Sequence, residues 1–228
     1  MKPTQTLEIK ELLRFGDRKI KCEKGTFLFQ EGMKAVELFI VISGKIQISK
    51  ITEDGRELSL RICGENEICG ELTLFTDNPK YLLSAKVLED GEVVAIRKDV
   101  LEYEIFQDST LAFEFMKWMS DHFRKTQTKF RDLVLNGKRG ALFSTLIRMS
   151  NSFGVKQKEG ILIDLPLTNQ ELANFCGTSR ESTNRILSEL KRDHVISIKK
   201  GKISILNLQY LRDEIGCENC PLTYCSIE

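Results

Sequence analysis

The sequence predicts an α+β chain: an N-terminal antiparallel β-roll or jelly roll, a long helix, a small winged helix–turn–helix and a cysteine-rich tail. Three observations carry this. Turn signals cut the first hundred residues into short apolar pieces, apolar residues then recur at helical spacing without a glycine, and three of the seven cysteines crowd into the last twelve residues. With 228 residues, 41% hydrophobic and 29% charged, the chain has material for a real core, which excludes disorder and collagen-like repetition.

The roll is punctuated at Glu31-Gly32, Ser43-Gly44, Glu53-Asp54-Gly55, Cys63-Gly64, Asp77-Asn78-Pro79 and Glu89-Asp90-Gly91. Between these signals Ile46 and Ile48, and then Leu58, Leu60 and Ile62, alternate as they would on the inward face of a strand. Apolar runs such as Leu38 to Ile42 and Val93 to Ile96 fall far short of the ~18 residues of a membrane span. Met1-Lys2-Pro3-Thr4-Gln5 carries no apolar leader, so a cytoplasmic, reducing setting without structural disulfides is expected.

From Arg97 to Gly137 Leu101, Ile105, Leu111, Phe115, Met119, Phe123, Phe130 and Leu133 recur mostly three, four or seven apart. One small roll cannot cover so many bulky side chains, and the spare stripe predicts a homodimer that persists without any metal cluster. Asn136-Gly137-Lys138-Arg139-Gly140 then reads as a helix stop and a flexible basic hinge. The expected divisions are residues 1–100, 101–136, 137–207 and 208–228. Their charge is uneven, with a net −2 over residues 1–136, +6 over 137–207 and −3 over 208–228. A basic block of this kind suits a phosphate backbone.

That block continues as a helix from about Ala141 to Phe153, an extended piece at Gly160 to Leu165, two helices joined by a tight turn, and a hairpin around Lys200-Gly201. Thr168 and Glu171 have capping-box spacing, Ala173 permits two helices to cross closely, Gly177 makes the turn and Thr178 can cap the second helix. On that helix Ile186, Leu187 and Leu190 face inward. Ser179, Arg180, Glu181, Asn184 and Arg185 lie toward its outward N-terminal face, where Arg suits guanine and Glu suits cytosine in a major groove. Double-stranded DNA is therefore the expected partner.

These features resemble the CRP/FNR family of bacterial transcription regulators over residues 20–207. Gly70-Glu71-Leu72-Thr73-Leu74-Phe75 is similar to that family's phosphate-binding cassette. Cyclic-nucleotide-binding members follow it with an Arg-Ser pair, and Leu83-Ser84 stands here instead. The resemblance thus implies a kept scaffold whose cyclic-nucleotide site is lost, since a buried phosphate would lack its counter-ion. It also implies RNA polymerase as a partner, and Arg180, Glu181 and Arg185 match members reading TGTGA-like inverted repeats.

Cys217, Cys220 and Cys225, at C-x2-C and C-x4-C spacing, could converge on one centre. Pro221 after Cys220 and the lack of a nearby His favour an iron–sulfur cluster, with structural zinc or uncommitted thiols as the other readings. A cubane needs a fourth ligand, and from the residues alone Cys22, Cys63, Cys69, Cys176, a carboxylate or water all remain open. Cys63, Cys69 and Cys176 look like small buried thiols. The tail, with Glu114-Phe115-Met116-Lys117-Trp118-Met119, resembles the Fnr oxygen-responsive branch of the family in Gram-positive bacilli. That resemblance implies one [4Fe-4S] cluster per subunit, held by Cys217, Cys220, Cys225 and Asp132, on an oxygen-responsive regulator of anaerobic metabolism. A hard carboxylate among soft thiolates predicts that Asp132 is the ligand given up first. The alternative function is a CRP-like regulator answering another ligand, with zinc in its tail. No enzyme is expected: the C-x2-C opens no helix of a βαβ unit, and His122 and His194 stand far apart in sequence.

Overall fold

The computed structural model describes residues 9–228, and the Met1 to Gln5 opening lies outside them. The chain divides into two compact units, one formed chiefly of residues up to Ser120 and the other chiefly of Asp121–Ile227. Each is taken by itself.

The first unit opens with a short helix α1 (Ile9–Leu12) and the strand β1 (Gly16–Cys22), followed by β2 (Phe27–Phe29), β3 (Glu37–Ile51), β4 (Glu57–Cys63), β5 (Ile68–Cys69) and β6 (Ser84–Arg97). The sheet runs β1-β6-β3-β4, with β2 on β6 and β5 on β3, and its described pairings are antiparallel. The register Val41↔Val93, Ile46↔Val87, Ile48↔Ala85 sets like residues opposite one another. The run at Leu38–Val41 is apolar throughout because both faces of β3 are covered. Phe39 and Val41 point into the roll with Phe29, Cys63, Cys69 and Tyr81, whereas Leu38 and Ile40 pack with Leu101, Ile105, Leu111 and Phe115.

The strands begin at Gly16, ahead of the first turn signal at Glu31-Gly32, and one sequence expectation changes here. On β4 the alternation is not Leu58, Leu60 and Ile62 inward: Ile62 is buried but Leu58 and Leu60 are half-buried, and Ser59, Arg61 and Cys63 are buried. A charged residue can occupy the inner face because Arg61 donates to the Ile68 carbonyl (2.7 Å) and to Glu71 (2.9 Å), satisfying the guanidinium inside.

Helix α2 (Lys98–Gln107) ends at Asp108, whose carboxylate accepts from the backbone N–H of Thr110 and Leu111 and so starts α3 (Ser109–Leu135). On α3 Leu111 and Phe115 are buried, while Phe113, Met116, Phe123, Phe130, Val134 and Leu135 are each 60% exposed or more. Of the residues at the predicted spacing only Phe123 and Phe130 belong to this exposed set, while Leu101, Ile105, Leu111 and Phe115 are buried and Met119 and Leu133 half-buried.

The second unit continues with α4 (Gly137–Phe153), β7 (Gly154–Gln157), β8 (Gly160–Ile163), α5 (Asn169–Phe175), α6 (Arg180–Arg192), β9 (Ile196–Lys199), β10 (Lys202–Ile205) and α7 (Leu208–Glu214). Its antiparallel sheet is ordered β7-β8-β10-β9, so the extended piece at Gly160 has a hairpin partner that sequence reasoning omitted. The flexible hinge is also corrected. Asn136 alone interrupts the helices, Gly137 takes φ +58° and α4 starts there, not at Ala141. Gly140 is buried, and Arg139 is already engaged by Glu189 (2.6 Å) and Tyr210 (3.3 Å).

Candidate functional site

Helices α5 and α6 form the helix–turn–helix. The Thr168 hydroxyl accepts from the Glu171 N–H (3.2 Å) while the Glu171 carboxylate accepts from the Thr168 N–H (2.7 Å), completing the capping box. Ala173 is fully buried and Gly177 makes the turn at φ +57°. The second helix is capped by Ser179, which accepts from the Ser182 N–H (3.2 Å), and not by Thr178. The Thr178 hydroxyl is buried, with no hydrogen-bond partner among the described residues. The two positions are one residue apart, and only the backbone geometry separates them. Ile186, Leu187 and Leu190 anchor α6, leaving Arg180, Glu181 and Arg185 exposed and Asn184 half-buried against the Asn169 amide. Backbone and Ser179 hydrogen bonds hold the Glu181 carboxyl below its ordinary range, so it presents an acceptor at neutral pH.

The three tail thiols meet at a cavity of about 100 Å³ lined by Cys217, Cys220, Cys225, Asp132, Arg131, Ser144 and Arg148, among others. All three cysteines are half-buried. Burial pushes the Cys225 thiol up against the pull of Arg148, and Cys217, Cys220 and Asp132 add to the rise. Asp132 belongs to the last turn of α3. Its Oδ2 accepts from the Ser144 hydroxyl and from Arg148 Nη2, both at 2.7 Å, and its Oδ1 accepts from Arg131 Nη2 (2.9 Å) and Nε (3.1 Å). Burial alone would raise this carboxyl, but the bonds from Arg148, Ser144 and Arg131 outweigh it and hold the group ionised. Three thiols and an ionised carboxylate around one cavity fit a sulfur-preferring metal centre by donor chemistry. In the arrangement described, no three His, Cys, Asp or Glu side chains close on a single metal position among the described residues.

The other cysteines stand apart chemically. Burial holds the Cys22 thiol up, burial pushes Cys176 to about 11, and a hydrogen bond with Cys63 plus burial keeps Cys69 well above the ordinary range. None of Cys22, Cys63, Cys69 and Cys176 lines the tail cavity.

Sequence reasoning missed the scaffold that seats the tail. The Tyr224 hydroxyl accepts from Arg124 (2.9 Å) and donates to Asp121 (3.2 Å), while its carbonyl accepts from Arg148 Nη1 (2.9 Å) and the Thr128 hydroxyl (3.2 Å). Asn151 donates to the Cys225 carbonyl (2.6 Å) and the Ile227 N–H donates to Ser152 (3.0 Å). The one available signal was Arg148, a charged residue in the otherwise uncharged run Ala141–Phe153.

In the first unit the segment Gly70–Phe75 forms a tight turn entered by Gly70 at φ +92°, where an added Cβ would meet Leu38 Cα at 3.3 Å. Glu71, 4% exposed, is turned onto Arg61, and Phe29 stacks on Tyr81 with ring centroids 3.9 Å apart. The space left beside Arg61, Glu71 and Leu83 is about 20 Å³, near the size of one water.

Residues 19–108 match the cyclic nucleotide-binding domain and residues 141–214 the Crp-like helix-turn-helix domain. The anaerobic regulatory protein of Bacillus subtilis is 58% identical over 97% of this chain and 93% of its own. The lactate racemization regulatory protein of Lactiplantibacillus plantarum is 31% identical over 86% and 90%. Among solved structures, FixK2 of Bradyrhizobium japonicum superposes with a TM-score of 0.74 at 18% identity, covering 86% of this chain and 96% of the other, and shows the same fold. The roll with its turned-in cassette, the helix–turn–helix and the extent of these matches together establish that the chain belongs to the CRP/FNR family of bacterial transcription regulators.

Proposed function

We propose that the chain is a DNA-binding transcription regulator of the anaerobic response, acting in the cytoplasm as a homodimer joined along α3. One [4Fe-4S] cluster per subunit would be held by Cys217, Cys220, Cys225 and Asp132. The observation that carries this reading is the gathering of those three thiols and that ionised carboxylate around one cavity, together with the 58% identity to an anaerobic regulatory protein. When bound, such a cluster supplies reactivity toward oxygen.

The remaining roles fall to the chain's own residues. Asp132 lies four residues before Asn136, the interruption between α3 and α4, so whatever Asp132 holds sets the start of the DNA-reading unit. Two α6 helices of a dimer must meet major grooves about 34–36 Å apart, and small changes at that joint decide whether they do. Arg180, Glu181 and Arg185, with Asn184, would read a TGTGA-like half-site, while Thr168 and Ser179 at the helix starts would face phosphates. Thr178 adds no hydroxyl to this face, since its Oγ1 is buried. The divisions 1–100, 101–136, 137–207 and 208–228 then serve as scaffold, dimer helix, DNA reader and ligand tail, with RNA polymerase as the downstream partner.

Cyclic nucleotide has no part in this reading. Glu71 is occupied by Arg61, Leu83 supplies no cation and the remaining space is water-sized. The test is iron and acid-labile sulfide content of protein purified without oxygen, with affinity for an inverted-repeat DNA before and after air. About four irons and four sulfides per chain, and DNA affinity that falls in air, are expected. Stoichiometric zinc would turn the reading to a regulator with a structural tail and another signal.

A further inference from the structure

The two oxygens of Asp132 are held by arginines of different kinds. Arg148 is 2% exposed and is fixed at several points, by Asp132 Oδ2, the Ser144 hydroxyl (3.3 Å) and the Tyr224 carbonyl. Arg131 is 35% exposed at its side chain, sits next to Asp132 on the same helix, and reaches outward. Two of its nitrogens, Nη2 and Nε, hold Asp132 Oδ1, and the third, Nη1, pairs with Glu218 of the tail. Oδ2 is thus locked in a buried network, and Oδ1 is held by a partly exposed side chain that lines the same cavity as the thiols.

The geometry points to Arg131 as a displaceable plug: its guanidinium holds the Asp132 oxygen that a metal centre would need and, through Glu218, tethers the Cys217–Cys220 loop, while Arg148 clamps the other oxygen. This rests on the cluster reading above and goes beyond it in assigning Arg131 and Arg148 as positioning residues with opposite duties. Loading exchanges the two Arg131 N–H contacts at Oδ1 for a metal bond. The guanidinium leaves with its proton, no electron is transferred by it, and its charge remains paired with Glu218. The tail beyond Pro221 stays seated, because Tyr224, Cys225 and Ile227 are bonded to α3 and α4. The moving part is the short loop carrying Cys217 and Cys220.

The test uses the full chain without metal, wild type beside Arg131→Gln, with Glu218→Gln as a second variant that cuts the tether from an exposed side chain. Anaerobic addition of ferrous iron and sulfide should load Arg131→Gln about five- to tenfold faster than wild type, the loss of the charge-assisted contacts of one partly exposed guanidinium. Iodoacetamide should alkylate Cys217 and Cys220 of the metal-free protein several-fold faster in both variants, with Cys225 unchanged. Equal loading rates, or equal alkylation of Cys220 in wild type and both variants, overturn the plug. A wild-type chain that takes up no iron and sulfide overturns the cluster reading and the exchange with it, whereas a loading wild type with an unaltered Arg131→Gln overturns the exchange alone.

Discussion

Both units bury an arginine against a carboxylate, yet the pairs Arg61–Glu71 and Arg148–Asp132 have different work. The first closes on itself: the two side chains are 9% and 3% exposed, and the space beside them is water-sized. The second ties α3, α4 and the tail together and leaves the other carboxylate oxygen to the partly exposed Arg131, beside a cavity of about 100 Å³ lined by three thiols. A pocket that is filled by its own ion pair has become structure. A pair that satisfies only half of its carboxylate leaves a site.

The largest expected effect breaks this comparison directly. Arg61→Met strips a buried carboxylate of its guanidinium and should cost about 3–5 kcal/mol in urea unfolding of the full chain, with the double variant Arg61→Met, Glu71→Leu recovering much of it. Arg148→Met should cost less, about 2–3 kcal/mol, because Arg131 and Ser144 still hold Asp132. Equal losses would mean that the two pairs are equally closed, and the contrast would fall.

What the sequence made legible follows the range of the interactions. The capping box of Thr168 and Glu171, the Gly177 turn and the inward stripe Ile186, Leu187, Leu190 are set within a few residues and were all readable. The β4 face was misread because Arg61 is made tolerable by Glu71, ten residues away across a turn. The hinge was misread because Asn136 alone separates the two helices, with a positive φ at Gly137, and Arg139 is spoken for by Glu189, fifty residues on. At the tail, cysteine spacing announces a site, but the seating of Tyr224 by Arg124 and Arg148 has a sequence separation of 76 to 100 residues and no local signal. Asp132 was reachable only by resemblance.

A third buried base sharpens the contrast. Lys129 rests over the Phe175 ring at 5.1 Å, and burial pushes its ammonium down to about 7, Arg148 adding to the drop and Cys176 opposing it. Between about pH 7 and the unfolded value near 10.4, the unfolded chain binds more protons at this site than the folded one, so stability rises with pH across that window. The gain should approach about 1 kcal/mol per pH unit near pH 8–9. Lys129→Met should remove that slope, read as the difference between the two proteins' urea midpoints at pH 7 and 9. An unchanged slope would place the titration elsewhere.

The smallest effect separates two neighbours at the start of α6. Ser179 accepts from the Ser182 N–H, so Ser179→Ala should cost about 1 kcal/mol of stability. The Thr178 hydroxyl is buried and makes no hydrogen bond among the described residues, so Thr178→Val, which keeps the shape and removes the polar atom, should be neutral or stabilising by about 0.5 kcal/mol. Affinity for an inverted-repeat DNA should stay within about twofold of wild type in Thr178→Val, while Arg180→Ala should lose about tenfold or more through an exposed base-reading position. If Thr178→Val instead weakened DNA binding as much as Arg180→Ala, the hydroxyl would have to turn outward in the complex. The turn at Gly177 would then be a moving part of the DNA reader, and the helix–turn–helix would share with the tail cavity the trait that the roll lacks.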